Sequence, residues 1–257
     1  MKCHVASNAE LAPGFFHLTL VPESPLGPIA PGQFVMIRCS DGMDPLLRRP
    51  MSVAQAVAGG ARFSLIVQWI GRGTQALASL VENDHLDVIG PFGTGFTTTP
   101  EQREIMIVAG GTGVAPFIGL AAALRAEGRN VVALLGARSA GLILMESQLR
   151  AAGAEVHLAT EDGSKGFDGL ATGLMEKTLD GMENPPDAVL TCGPEGMMRA
   201  VARIAEHNNI PCQVSLETKM ACGFGACLGC VTPRRGEEKY ITVCRKGPVF
   251  DSRQVEI

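Results

Sequence analysis

The first hundred residues carry five short apolar-rich runs, FFHLTLVP, GQFVMIRCS, RRPMSVAQAV, ARFSLIVQWI and HLDVIGPFG, each bounded by Gly, Pro or Asp. Short runs of this kind at even spacing predict strands, and together a small antiparallel barrel. Thr97-Thr98-Thr99-Pro100 reads as the link out of it, because Pro disfavours a continued ladder and small polar residues suit an exposed connection. From Glu104 the texture changes: IMIVAGG leads into a helix begun at Pro116, VVALLGA and EVHLATED follow, and AVLTCGP leads into EGMMRAVARIAEHNN. This strand–helix alternation predicts a parallel, doubly wound sheet. Its strand runs lack polar alternation, as expected where helices cover both faces. A last strand, CQVSLET, precedes a cysteine-rich tail.

The predicted order is therefore barrel over 1–98, α/β unit over 99–214 and cysteine loop over 215–257. No repeat of about 20–50 residues and no low-complexity tract interrupts it, which sets solenoids aside. A length of 257 residues accommodates two ordinary domains and a small appendage. With 46% apolar and 19% charged residues the composition is that of a globular chain. A net charge of −4 without a dense Lys/Arg run argues against a nucleic-acid surface. The start MKCHVASNAELAPGFF lacks a signal-peptide apolar region, and no stretch is long enough to span a bilayer, so a cytoplasmic location is expected.

Eight cysteines in a reducing compartment point to metal binding or redox work rather than disulfides. Cys3, Cys39, Cys192 and Cys212 are scattered and read as small buried hydrophobes, although Cys192 also belongs to a motif taken up below. The other four cluster: four residues separate Cys222 from Cys227, two separate Cys227 from Cys230, and thirteen precede Cys244. The first three match the C-x4-C-x2-C spacing of plant-type [2Fe–2S] ligation, and Gly223, Gly225, Ala226 and Gly229 supply the small residues that such a loop needs around a cluster. Four thiolates also suit tetrahedral zinc, though zinc ribbons favour paired short knuckles and only one C-x2-C is present.

Two further constellations suit phosphate-bearing cofactors. Arg49-Pro50-Met51-Ser52 offers a cation for a flavin pyrophosphate and a hydroxyl for the ring edge. Ile66-Val67-Gln68 and Gly73-Thr74 follow, the latter opening the helix TQALASLV, whose N-terminal N–H groups attract anions. Taken singly, an Arg on a strand or a Gly-Thr step is more often only a solvated charge or a helix start. In the second unit, Gly110-Gly111-Thr112-Gly113 joins a strand to a helix, and Cys192-Gly193-Pro194 ends the fourth parallel strand, on the edge where open α/β sheets bind ligands.

The order of these motifs resembles the ferredoxin–NADP reductase superfamily, in which a flavin barrel carrying R-x-x-S precedes a nicotinamide domain carrying GGTG and CGP. The tail KMACGFGACLGCV followed by VCRKGPVFDSRQVEI is more specific: it is similar to the iron–sulfur electron-transfer subunits of the two-subunit, NAD-dependent dihydroorotate dehydrogenases. The resemblance covers nearly the whole chain. It implies an N-terminal antiparallel flavin-binding β-barrel, a doubly wound nicotinamide domain and a small [2Fe–2S] loop domain. It implies FAD contacts at Arg49 to Ser52, Ile66 to Gln68, Gly73 and Thr74, and nicotinamide contacts at Gly110 to Gly113 and Cys192 to Pro194. Cys222, Cys227, Cys230 and Cys244 become the cluster ligands. Met51 stands where such proteins often hold Ile. The implied partner is a separate FMN-containing catalytic subunit, two copies of each forming a heterotetramer.

Implied too is the direction of flow in pyrimidine biosynthesis, from FMN on the partner through the cluster and FAD to NAD⁺, with no acid or base on this chain needed for dihydroorotate oxidation. NAD rather than NADP rests on the resemblance alone, since Arg138 is placed to meet a 2′-phosphate. His4, His17, His85, His157 and His207 show no metal-ligand spacing. Two rivals stay open at this point: a reductase subunit serving a ferredoxin, hydrogenase or glutamate synthase, and a non-catalytic nucleotide-sensing module with a zinc-bound tail.

Overall fold

The computed structural model describes residues 1–40 and 42–257, with Ala58 described by its backbone alone. Six strands close an antiparallel barrel: β1 (Lys2–Ala12), β2 (Phe15–Pro22), β3 (Phe34–Arg38), β4 (Arg49–Ala56), β5 (Phe63–Gln68) and β6 (His85–Phe92), in the order β1-β2-β5-β4-β3-β6. Five of them lie in the predicted runs. β1 was not predicted: its inward residues Cys3 and Val5 are fully buried, but its remaining positions are mostly polar or small and hide the period. A helix, α1 (Arg72–Ala78), follows β5. It starts two residues before the predicted TQALASLV and stops short of its end. Asn8 on β1 holds its C-terminal end, since Asn8 Nδ2 donates to the carbonyls of Leu77, Ala78 and Leu80.

The second unit is a seven-stranded sheet. β7 (Glu104–Gly110), α2 (Phe117–Ala126), β8 (Asn130–Ala137), α3 (Glu146–Ala151), β9 (Glu155–Thr160), β10 (Phe167–Asp168), α4 (Ala171–Asp180), β11 (Ala188–Cys192), α5 (Glu195–His207) and β12 (Cys212–Ser215) alternate along the chain. After them come a hairpin, β13 (Val231–Pro233) with β14 (Tyr240–Thr242), the short α6 (Val243–Lys246) and β15 (Val249–Asp251). The sheet order is β10-β9-β8-β7-β11-β12-β15, all parallel except β15, which runs antiparallel to β12. The predicted strand CQVSLET thus ends at Ser215, and the cysteine tail returns its last strand to the nucleotide-type sheet.

Alternate residues of β7 explain its unbroken apolar run: Ile105 and Ile107 face α2 and α3, while Met106 and Val108 face α4 and α5. The first of these cores also takes in Ala12, Ala54 and Ile66 of the barrel, so α2 is packed between sheet and barrel. The second takes in Phe34 and Met36 of β3 together with Cys230, Cys244 and Phe250. Barrel, sheet and cysteine tail therefore share cores rather than hanging on linkers. No described helix is long and apolar enough to cross a membrane.

Candidate functional site

The chain order reverses between β7 and β11, so the turns after these two strands flank the switch point of the sheet. Opposite them, the ends of β4 and β5 complete a cleft of about 200 Å³. Pro50, Met51, Ser52, Ile66, Gln68 and Thr74 line it from the barrel, Thr112 and Ala115 from the α/β unit, and Ser215 to Thr218 with Met220 from the tail. Of the predicted flavin residues, Val67 instead turns its side chain into the barrel core, leaving only its backbone toward this side.

Arg49 and Gly73, also predicted, do not line the cleft itself but meet beside it, next to Pro50 and Thr74 of its wall. A Cβ on Gly73 would stand 2.8 Å from Arg49 Nε, so glycine here lets the guanidinium lie against the first turn of α1 without being displaced. Thr74 Oγ1 accepts N–H bonds from Ile70 at 3.0 Å and Gly71 at 3.2 Å, which fixes the turn before the helix. Cation and helix start are thus brought together, the combination that a pyrophosphate needs. The cleft walls are apolar at Phe34, Pro50, Met51, Ile66, Leu216 and Met220 and polar at Ser52, Gln68 and Thr112. Thr218 Oγ1, also at the cleft, is buried without a hydrogen-bond partner among the described residues. A flat ring with a polar edge fits that lining.

A groove continues from the cleft across the C-terminal edge of the sheet, with Gln68, Gly110, Gly111 and Pro194 common to its two lobes. One lobe is further lined by Arg138, Glu161, Gly169 and Met197, the other by Gly193, Glu217 and Thr218. A Cβ on Gly113 would collide with the Cys192 carbonyl, so the glycine-rich turn and the CGP turn touch backbone to backbone. Burial pushes the Cys192 thiol up to about 12, against an opposing hydrogen bond from Ser215, so Cys192 stays neutral. The walls of the cleft also raise the Glu217 carboxyl above its ordinary value by desolvation, although the residue as a whole stays exposed at the groove. Arg138 is exposed at the groove.

The four tail cysteines are held as two pairs. The Cys227 N–H donates to Cys222 Sγ at 3.4 Å, and the Cys244 N–H donates to Cys230 Sγ at 3.4 Å. Cys222 and Cys227 lie toward solvent, whereas Cys230 and Cys244 are buried in the core under Val243 and Phe250. Burial alone would raise the Cys222 thiol, but the N–H groups of Cys227, Phe224 and Ala226 and the Cys227 side chain outweigh it and bring it down to about 6. Gly223 and Gly225 take φ of 84° and 88°, the left-handed backbone that turns those N–H groups inward. Two irons bridged by sulfide need two thiolates each, and this pairing with inward N–H donors fits them. Among the described residues no group of three or more His, Cys, Asp or Glu side chains is gathered for a single metal ion.

Phe34, Leu216, Glu217, Thr218 and Met220 belong to the cleft and were not predicted. The signal for three of them was available, since Leu216 to Thr218 directly follow a strand of an open α/β sheet at its ligand-binding edge.

A barrel joined through such a cleft to a nucleotide-type sheet, with paired cysteines beside it, defines an NAD-linked flavin and iron–sulfur oxidoreductase subunit with the ferredoxin reductase fold. Residues 217–256 match the family described as the iron–sulfur cluster binding domain of dihydroorotate dehydrogenase B, and residues 107–203 match the oxidoreductase NAD-binding domain. The chain is 36% identical to the dihydroorotate dehydrogenase B (NAD(+)) electron transfer subunit of Bacillus velezensis, covering 100% of this chain and 99% of that one. It is 37% identical to the subunit of the same name from Geobacillus kaustophilus, covering 98% and 96%. The chain belongs to this family of dihydroorotate dehydrogenase B electron-transfer subunits. Among solved structures, an NADH-dependent reduced ferredoxin–NADP oxidoreductase superposes with a TM-score of 0.88 at 28% identity, over 99% of this chain and 89% of that one.

Proposed function

We propose that this chain carries electrons from the FMN of a separate dihydroorotate-oxidising subunit, through a [2Fe–2S] cluster and FAD, to NAD⁺ in pyrimidine biosynthesis. The observation that carries the reading is one of adjacency: Met220 lines the flavin cleft, and Cys222, two residues on, is the first of the paired cysteines. The work divides among residues 1–98 for flavin, 99–214 for nicotinamide and 215–257 for the cluster. Bound flavin supplies two-electron hydride exchange with nicotinamide and one-electron exchange with a cluster.

The residues supply placement and electrostatics. Arg49, Gly73 and Thr74 hold the flavin pyrophosphate, Ser52 and Gln68 take the ring edge, and Pro50, Met51 and Ile66 pack its face, with Val67 contributing backbone. Gly110 to Thr112 and Gly193-Pro194 admit the nicotinamide nucleotide closely, while Gly113 and Cys192 lock the two turns beneath it. Cys222, Cys227, Cys230 and Cys244 would hold the cluster through their sulfurs. Phe224 and Leu228, exposed on either side of the exposed Cys227, form the apolar centre of the face that docks the FMN subunit in a heterotetramer of two of each. Four free, buried thiols outside the loop suit a reducing cytoplasm.

The purified chain is expected to show flavin and iron–sulfur absorption that NADH bleaches. A colourless, zinc-loaded protein contradicts the proposal. The likeness to the NADH-dependent ferredoxin–NADP oxidoreductase favours a second reading, in which a ferredoxin replaces the FMN subunit. Ready reduction of ferredoxin, without dihydroorotate-dependent NAD⁺ reduction in the paired complex, selects it.

A further inference from the structure

We infer that Phe92 is a positioning residue that holds the cluster loop against the wall of the flavin cleft and so sets the rate of electron passage between the two cofactors. The inference rests on the proposed function above.

Three aromatic rings connect the two sites. Phe34, on the cleft wall, packs on Phe92 with ring centres 6.0 Å apart and planes at 55°. Phe92, the last residue of β6, packs in turn on Phe224 at 6.1 Å and 47°. Phe224 lies between Cys222 and Cys227 in the cluster loop. The residues after Phe92 grip the other flank of the cluster. The Thr94 N–H donates to the Gly247 carbonyl at 2.6 Å, and Thr94 Oγ1 donates to the carbonyls of Lys246 and Val249 at 3.3 Å. These acceptors directly follow Cys244. Met36 of β3 supports the loop beside them, since a Cβ on Gly223 would run into its side chain.

The covalent connection from cleft to cluster has no comparable stiffness. Residues 217–229 form neither helix nor strand, and among the described residues none of them makes a backbone–backbone hydrogen bond. The Cys227 N–H is turned to Cys222 Sγ at 3.4 Å instead. A loop without ladder bonds takes its position from what it packs on, and here the packing runs through Phe92. Electron tunnelling weakens exponentially with the gap, so a small shift of this support is read directly as a rate. Sites of this kind depend on such supporting residues for placement within a fraction of an ångström.

The test uses the full, cofactor-loaded chain carrying Phe92→Ala, Phe92→Leu or Phe92→Tyr, mixed rapidly with NADH under anaerobic conditions. Flavin reduction and the following cluster reduction are resolved by absorption and freeze-quench electron paramagnetic resonance. Flavin content, iron content and the flavin reduction rate should match the parent chain. The cluster reduction step should slow by about tenfold in Phe92→Ala, the scale on which slight misplacement acts, less in Phe92→Leu, and recover in Phe92→Tyr. An unchanged cluster step in an iron-replete Phe92→Ala chain overturns the inference. So does equal loss of the cluster from the Ala and Leu variants, which would make Phe92 a residue that retains the cluster rather than one that spaces it. A parent chain whose flavin is reduced by NADH but whose cluster is not defeats the proposed function, and the inference with it.

Discussion

Arg49 and Gly73 form a contact that a single methyl group would destroy, because a Cβ on Gly73 would lie 2.8 Å from Arg49 Nε and 3.2 Å from its Cζ. No carboxylate pairs with this guanidinium among the described residues; its one hydrogen bond goes to the Leu47 carbonyl at 2.6 Å. It is therefore available to an anion. Gly73→Ala is expected to weaken FAD binding by pushing the guanidinium aside, at about 1.5–3 kcal/mol for a hydrogen bond to a charged group. Arg49→Ala should cost a similar amount, and the double variant little more than either, since both remove one interaction. FAD titration by fluorescence quenching measures all three. Strict additivity would show that the two residues act apart.

Gly113→Ala addresses the nicotinamide side alone. Its Cβ meets backbone of the turn after β11, which has no flexible end to give way. A stability loss of about 1–3 kcal/mol and a raised KM for NADH are expected, with flavin and cluster spectra intact. A normal KM in a destabilised chain would separate the turn from the nucleotide.

Cys244 is buried, and its main-chain N–H already donates to its partner sulfur on Cys230. Cys244→Ser should abolish the cluster and leave FAD bound, as read by iron content and visible absorption. Retention of a normal cluster would assign the fourth ligand elsewhere.

Desolvation raises the Glu217 carboxyl above its ordinary value of 4.5. A group whose folded value is raised stabilises the fold below its unfolded value and loses that contribution as pH climbs through the folded one. Relative to Glu217→Gln, the parent chain should thus lose a little stability as pH rises above 4.5, and level off once pH has passed the raised folded value. Parallel stability curves from chemical denaturation would show that the carboxyl is not desolvated.

Sequence revealed most where one element does one job. The unbroken apolar runs announced the parallel strands, and the cysteine spacing announced the paired sulfurs. It failed where a residue's role comes from distant packing. Phe34 reads as a plain barrel apolar residue, and only the fold shows its ring on the cleft wall, in line with Phe92 and Phe224. Glu217 and Thr218 looked like the end of a strand that in fact stops at Ser215, which leaves both in the groove. β15 escaped notice because three residues that pair antiparallel to β12 carry no period of their own.

The most direct test of the account is dihydroorotate-dependent reduction of NAD⁺, measured anaerobically on the chain copurified with its FMN-containing catalytic subunit, with and without Cys244→Ser. The account predicts NADH formation by the parent complex and its loss when the cluster is removed, while NADH continues to reduce the bound FAD. NADH formation at the parent rate by a cluster-free complex, or none by an intact one, would contradict it.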